Sequence, residues 1–256
     1  MSSGERLFPD GCAVVVGGSG GIGAEVCRRL AEAGTDVVLT YRSNAGAAAQ
    51  AAAAVEAAGR RALSLPLDLA DPDACTALYA QARGELGPVH TVVFAVGAPI
   101  PMVHASKVEP DAWRSAIDND LNGFFNVTKA ALPHLRESGG SIVAVSSAGV
   151  VRHPPLDVLS TVPKAGIEAL VRAIAREEGR YGIRANSVAL GVIEAGHFHL
   201  VAPELGEDFV EAIKRNTAVR RLGTAREAAD AVVFLASLRA SYVTGQRLVV
   251  DGGYSV

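Results

Sequence analysis

The fold is decided by one stretch near the start of the chain: Cys12-Ala13-Val14-Val15-Val16-Gly17-Gly18-Ser19-Gly20-Gly21-Ile22-Gly23-Ala24-Glu25-Val26-Cys27. Cys12–Val16 is a short apolar run rich in valine, the signature of a buried strand. A helical pattern begins at Ile22, directly after the glycines. Glycine is required where a chain turns sharply and where a side chain would hold the backbone away from a pyrophosphate, and the helix that follows offers free N–H groups to an anion. A plain turn with a helix cap would use some of the same residues. The place of the glycines, between a first strand and a first helix, selects the dinucleotide loop.

Beyond this unit, apolar runs and alanine-rich helical segments alternate to the end of the chain, as in a parallel sheet covered by helices on both faces. The pattern predicts strands at Cys12–Val16, Asp36–Thr40, Ala62–Pro66, Thr91–Ala95, Ile142–Ser146, Arg184–Ala189 and Arg247–Val250. Helices are predicted at Ile22–Ala33, Gly46–Ala58, Asp73–Glu85, Asp111–Glu137, Lys164–Tyr181 and Arg226–Leu238. Neither a linker-like shift in composition nor a repeat of fixed period divides the 256 residues, so a single α/β domain is expected, a doubly wound Rossmann-type fold with a parallel seven-stranded sheet. The least regular stretch, Gly191 to Asn216, follows the sixth strand, where a segment can cover a cleft at the carboxyl ends of the strands.

Composition narrows the partners. Hydrophobic residues make up 49% and charged residues 20%, and the net charge is −3, so there is no broad electrostatic attraction for nucleic acid or an anionic membrane. Cys12, Cys27 and Cys75 lack metal or disulfide spacing and read as core thiols in a reducing compartment. Met1–Asp10 lacks the apolar stretch of a signal peptide, and no later run is long enough to span a bilayer, so a cytoplasmic protein is expected.

The second strand ends Leu39-Thr40-Tyr41-Arg42-Ser43-Asn44. A carboxylate at this point would bond the ribose hydroxyls of NAD and repel a 2′-phosphate. Arg42 can instead pair with that phosphate, and Ser43 or Asn44 can donate to it. NADP(H) is therefore favoured over NAD(H).

The spacing Gly17, Gly21, Gly23 resembles the glycine motif of the short-chain dehydrogenase/reductase family. Further matches run the length of the chain: Leu67-Asp68-Leu69, Asn126-Val127-Thr128-Lys129-Ala130-Ala131-Leu132, Gly140-Ser141-Ile142-Val143, Arg221-Leu222-Gly223-Thr224, and Tyr242-Val243-Thr244-Gly245-Gln246 before Val250-Asp251-Gly252-Gly253. The carboxy-terminal motifs are similar to those of the 3-oxoacyl-carrier-protein reductase branch. The resemblance implies strand order 3-2-1-4-5-6-7, a small carbonyl substrate and a homo-oligomer, a tetramer or dimer. It also implies a cofactor site drawn from Gly17, Ser19, Gly21, Ile22 and Gly23 in the loop, Arg42 and Ser43 after the second strand, and Asp68 and Leu69 beside the adenine. Gly97, Lys164, Gly191 and Ile193 would complete it toward the nicotinamide.

The family's chemistry uses a serine, a tyrosine and a lysine, with a supporting asparagine. By the resemblance the serine falls at Ser147 and the lysine at Lys164, but the tyrosine position is Ser160 and the asparagine position is Asp120. An aliphatic hydroxyl is a far weaker acid than a phenol of pKa about 10, and it sits on a shorter side chain. Ser160 can at most position a water. Asp120 has two open roles, a proton donor if burial raises its pKa or an ion pair with Lys164. Further departures gather at the same end: Val16 for a threonine, Phe94-Ala95-Val96-Gly97 for Asn-Asn-Ala-Gly, Leu190-Gly191 for Pro-Gly, and Ala195 for a threonine. His153, His197 and His199 are candidates for the missing acid, with solvated loop histidines as the alternative. No carboxylate or cysteine at ligand spacing accompanies them, so no metal site is read.

The adenosine half of the expected site thus keeps the family pattern and the nicotinamide half does not. Three activities accommodate this: an NADP(H)-dependent ketoreductase with an atypical proton donor; a redox-neutral isomerase, dehydratase or cyclase; or a non-catalytic subunit of a hetero-oligomer.

Overall fold

The computed structural model describes residues 6–97, 100–196, 198–199 and 206–256. Strands β1 (Cys12–Val16), β2 (Asp36–Tyr41), β3 (Ala62–Pro66), β4 (Val89–Phe94), β5 (Gly140–Ser147), β6 (Ile183–Leu190) and β7 (Arg247–Val250) form one sheet in the order β3-β2-β1-β4-β5-β6-β7. Every pairing is parallel, and the order is the one the family resemblance implies.

Helices α1 (Gly21–Glu32), α2 (Ala45–Ala57), α3 (Pro72–Leu86), α4 (Pro110–Ala116), α5 (Gly123–Ser138), α6 (Val158–Glu178), α7 (Glu207–Asn216) and α8 (Ala225–Ala236) supply the layers. Side chains alternate across a strand, so a strand buried on both faces feeds two cores. Ala13 and Val15 of β1 join α1, α2 and α8 in one core, while Cys12, Val14 and Val16 join α3, α5 and α6 in the other. The valine runs are therefore continuous rather than alternating with polar residues.

Most predicted elements are present with ends moved by a residue or two, and three differ more. The helix expected over Asp111–Glu137 is α4 and α5 joined by a π-helical turn, Ile117–Asn122. That wider turn carries Asp120, which is buried. Helix α6 starts at Val158 rather than Lys164, because the buried Pro163 is absorbed inside the helix instead of marking its first residue. Part of the stretch expected to be irregular is α7, with Glu207 and Asp208 in its first turn and Lys214 and Arg215 in its last, each complementing the helix dipole.

The chain leaves β1 toward one edge of the sheet and returns through β4 toward the other. A crevice opens at the carboxyl ends of the strands at that reversal, the usual place for a ligand in a doubly wound sheet. Among the described residues no helix is long and apolar enough to cross a membrane.

Candidate functional site

The crevice begins at the glycine loop. Gly17 has a left-handed backbone, φ +81°, and its N–H donates to Thr40 Oγ1 at 3.2 Å, which ties the loop to the end of β2. A Cβ on Gly23 would stand 2.2 Å from the Gly17 carbonyl oxygen, so the first turn of α1 lies directly on the loop. That helix has Gly20 at its N-cap with no side-chain cap and no acidic residue in its first turn. Its leading N–H groups are thus left for an exogenous anion, and a dinucleotide pyrophosphate fits the cradle.

Gly17, Ser19, Arg42, Ser43, Asp68, Leu69 and Gly97, all expected at the cofactor, line this one cleft with Thr40 and Asn119. Arg42 faces Asn119 across it at 3.5 Å. Asn44, expected as a phosphate donor, uses Oδ1 to cap α2 through the Ala47 N–H at 2.9 Å. Asp68 accepts from the Ala70 N–H at 3.0 Å and holds the turn after β3. Gly21 and Ile22 open α1, and a Cβ on Gly21 would meet the Gly196 backbone nitrogen at 2.4 Å, so the segment after β6 folds against the loop. Gly191 and Ile193 are placed beside the carboxy-terminal segment: Gly191 N–H donates to Val250 at 3.0 Å, and Ile193 bridges to Gly223. Neither lines the cleft.

At the other end, Lys164 is buried on α6. Its Nζ donates to the Val96 carbonyl at 2.7 Å and lies 3.1 Å from Asp120 Oδ2, with the Phe94 ring 5.9 Å away. Of the two roles open to Asp120, the ion pair is the one present in this geometry, and Asp120 Oδ1 is buried without a hydrogen-bond partner among the described residues. Ser147 ends β5 and accepts the Gly149 N–H at 3.0 Å, which leaves its own hydrogen to donate to a substrate oxygen. Ser160 sits in the first turn of α6, one turn before Lys164. His153 is exposed, with Nδ1 3.2 Å from Thr161 Oγ1. His199 is exposed beside Phe198, and His197 lies outside the described residues.

The structure adds Asp157, which sequence motifs did not single out. It is the N-cap residue of α6, yet its side chain makes no capping hydrogen bond. Burial pushes its carboxyl up to about 6, and the charge of His153 acts in the opposite direction. The available signal was its position three residues before Ser160 and seven before Lys164, on one helical face.

The profile describing enoyl-(acyl carrier protein) reductase matches residues 16–255. The chain belongs to the short-chain dehydrogenase/reductase family. It is 38% identical over 252 residues to cis-4-hydroxycyclohexanecarboxylate dehydrogenase of Sinomonas cyclohexanicum, covering 98% of each chain. It is 36% identical over 256 residues to L-rhamnose 1-dehydrogenase (NAD(P)(+)) of a Sphingomonas species, again covering 98% of each. Among solved structures, a short-chain alcohol dehydrogenase from Sinorhizobium meliloti superposes with a TM-score of 0.89 at 30% identity, over 96% of this chain and 97% of that one. Short-chain dehydrogenases/reductases bind nicotinamide cofactors and carry out dehydrogenation or reduction of small molecules; in this chain the glycine loop lines the crevice, and Lys164 donates to Val96 on its wall.

Proposed function

We propose that this protein is an NADP(H)-dependent carbonyl reductase with an atypical proton donor. The observation that carries the reading is a single crevice with Gly17, Arg42 and Ser43 at one end and Val96 and Gly97, the former held by Lys164, at the other. The cofactor, when bound, supplies the hydride. Arg42 and Ser43 hold the 2′-phosphate, since an arginine pairs with phosphate through charge-assisted bonds. The free N–H groups of α1 hold the pyrophosphate. Ser147 donates its hydroxyl hydrogen to the substrate oxygen and fixes the carbonyl in place. Hydride transfer depends chiefly on positioning, and a general acid contributes about 10²–10⁴-fold, so loss of the tyrosine is compatible with turnover.

The segment 191–216, in part outside the described residues, covers the substrate. A cytoplasmic setting accords with three buried free cysteines. A homotetramer accords with the apolar side chains left exposed on β7, Leu248 and Val249, and on α4 and α5, Trp113 and Phe125.

The second reading is a redox-neutral enzyme in the same cleft, favoured by the Lys164–Asp120 pair, which engages the lysine away from the Ser160 position. Titration with NADPH and NADH, followed by a ketone assay of the wild-type protein beside Ser160→Tyr and Lys164→Ala, separates the two. Consumption of NADPH supports the reductase. Product formed without dinucleotide supports the alternative, and absence of both points to the non-catalytic subunit.

A further inference from the structure

Among the described residues that line the crevice, Arg42 alone carries a positive charge and Asp68 alone a negative one, and Asp68 is occupied with the Ala70 N–H. Arg42 forms no ion pair among the described residues. Its Nη1 donates instead to Asn119 Oδ1 at 3.5 Å, longer than the usual N–H···O bond. The two side chains come from opposite sides of the strand-order reversal, Arg42 from the segment after β2 and Asn119 from the π-helical turn between α4 and α5. Their contact therefore spans the crevice that both line.

Asn119 is held in place from behind. Its Nδ2 donates to the Ser115 carbonyl at 2.8 Å and to the Ser115 hydroxyl oxygen at 3.1 Å. An amide has one donating and one accepting end, so with the nitrogen committed to α4 the oxygen is the end turned to Arg42. That oxygen accepts a hydrogen bond and orients the guanidinium, but brings no charge to cancel it. A carboxylate in the same place would form an ion pair with Arg42 and repel an arriving anion. Both acidic neighbours of Asn119 in the sequence are engaged elsewhere: Asp118 accepts from Asn122 Nδ2 at 2.7 Å, and Asp120 is paired with Lys164. Of the three consecutive residues, the neutral one meets the arginine.

We infer that Asn119 is a specificity-determining residue of the dinucleotide site, a neutral clasp that presents Arg42 to a phosphate monoester on the adenosine ribose. The inference rests on the NADP(H) reading above and assigns the selectivity to a pair of residues rather than to Arg42 alone. The long contact with Asn119 turns the guanidinium toward the crevice and reduces the ordering cost of binding. Bonds between a guanidinium and phosphate are charge-assisted and stronger than the neutral one they replace, so the clasp orders the arginine without competing with the ligand. A ribose with a free 2′-hydroxyl offers no charge for Arg42 to meet. Asn119 thus acts on the ratio of the two affinities rather than on both alike.

Fragments that lack nicotinamide isolate this end of the crevice. In calorimetric titration, wild-type protein should bind 2′,5′-ADP about tenfold or more tighter than 5′-ADP. Asn119→Ala should weaken 2′,5′-ADP by about two- to tenfold, and Asn119→Asp by about tenfold or more, while 5′-ADP changes by less than about twofold in either variant. Equal weakening of both fragments would make Asn119 only a support of the crevice wall and overturns the inference. An undiminished preference for 2′,5′-ADP in Asn119→Asp overturns it too. In either case, loss of the wild-type preference in Arg42→Ala leaves the NADP(H) reading standing. Wild-type protein that binds the two fragments equally, or binds neither, rejects that reading, and the inference falls with it.

Discussion

The ammonium of Lys164 lies 3.1 Å from the Asp120 carboxylate, and both side chains are 8% exposed. The opposite charges cancel inside the domain, and Asp120 leaves its second oxygen buried and without a hydrogen-bond partner among the described residues. The lysine is thus held beside the junction of α4 and α5. The π-helical turn Ile117–Asn122 carries Asp120, and such turns are frequent at functional sites.

Breaking the pair should be costly. Asp120→Ala is expected to lower stability by about 3 kcal/mol, the cost of leaving a buried charge uncompensated. The double variant Asp120→Leu, Lys164→Met should recover most of that loss, because no buried charge remains. Urea unfolding of the single and double variants measures both, and equal losses in the two would contradict the coupling.

Arg42 is expected to set cofactor choice. A hydrogen bond to a charged group is worth about 1.5–3 kcal/mol, so Arg42→Ala should weaken NADPH binding by roughly tenfold or more and leave NADH unchanged. Calorimetric titration with both cofactors reads the ratio. Equal loss for the two would show that Arg42 does not meet the 2′-phosphate.

The glycine cradle is tested at Gly23. A Cβ there would stand 2.2 Å from the Gly17 carbonyl, so Gly23→Ala must push the loop off α1. Overpacking of this kind costs about 1–3 kcal/mol. A lower melting temperature together with loss of dinucleotide affinity is expected, and a variant that binds normally would show that the pyrophosphate sits elsewhere.

Asp157 makes stability depend on pH. Its carboxyl is raised by burial from 3.8 to about 6 in the folded protein, so folding is penalised once the group must ionise. The sign follows from linkage: this contribution is neutral below the unfolded pKa, and stability falls as pH rises from about 4 to 6 and stays lower above. Asp157→Asn should therefore stabilise the protein by roughly 1–3 kcal/mol at pH 7 and by nothing near pH 4. Denaturation across that range checks it. A benefit independent of pH would point to packing instead.

The β7 edge predicts the assembly. Leu248 and Val249 are both 36% exposed in the single chain, and Tyr242 is fully exposed nearby. In the proposed homotetramer Leu248→Glu should give a smaller species than wild type in light scattering, and an unchanged mass would place any interface on another face.

The sheet was readable from the chain because buried parallel strands are runs of valine and isoleucine bounded by glycine or polar residues, as in Cys12–Val16 before Gly17. The glycine loop was readable for a related reason: its turn is a matter of backbone geometry, and glycine spacing records backbone geometry directly. The surroundings of Lys164 are made by side chains brought together from β4, the π-helical turn and α6. Nothing local in Ile117–Asn122 marks a wider turn, since its residues also suit an ordinary helix. Pro163 suggested a helix start where the helix was already under way. Asp157 belongs to no motif, and its raised carboxyl depends on burial at the entrance to α6.

The reversal of strand order between β1 and β4 divides the sheet but not the crevice. Gly17, Arg42 and Asp68, from before β4, and Val96, Gly97 and Asn119, from after it, line one crevice, so neither half of the chain builds it alone. A substitution in either stretch therefore reshapes a crevice that the other shares.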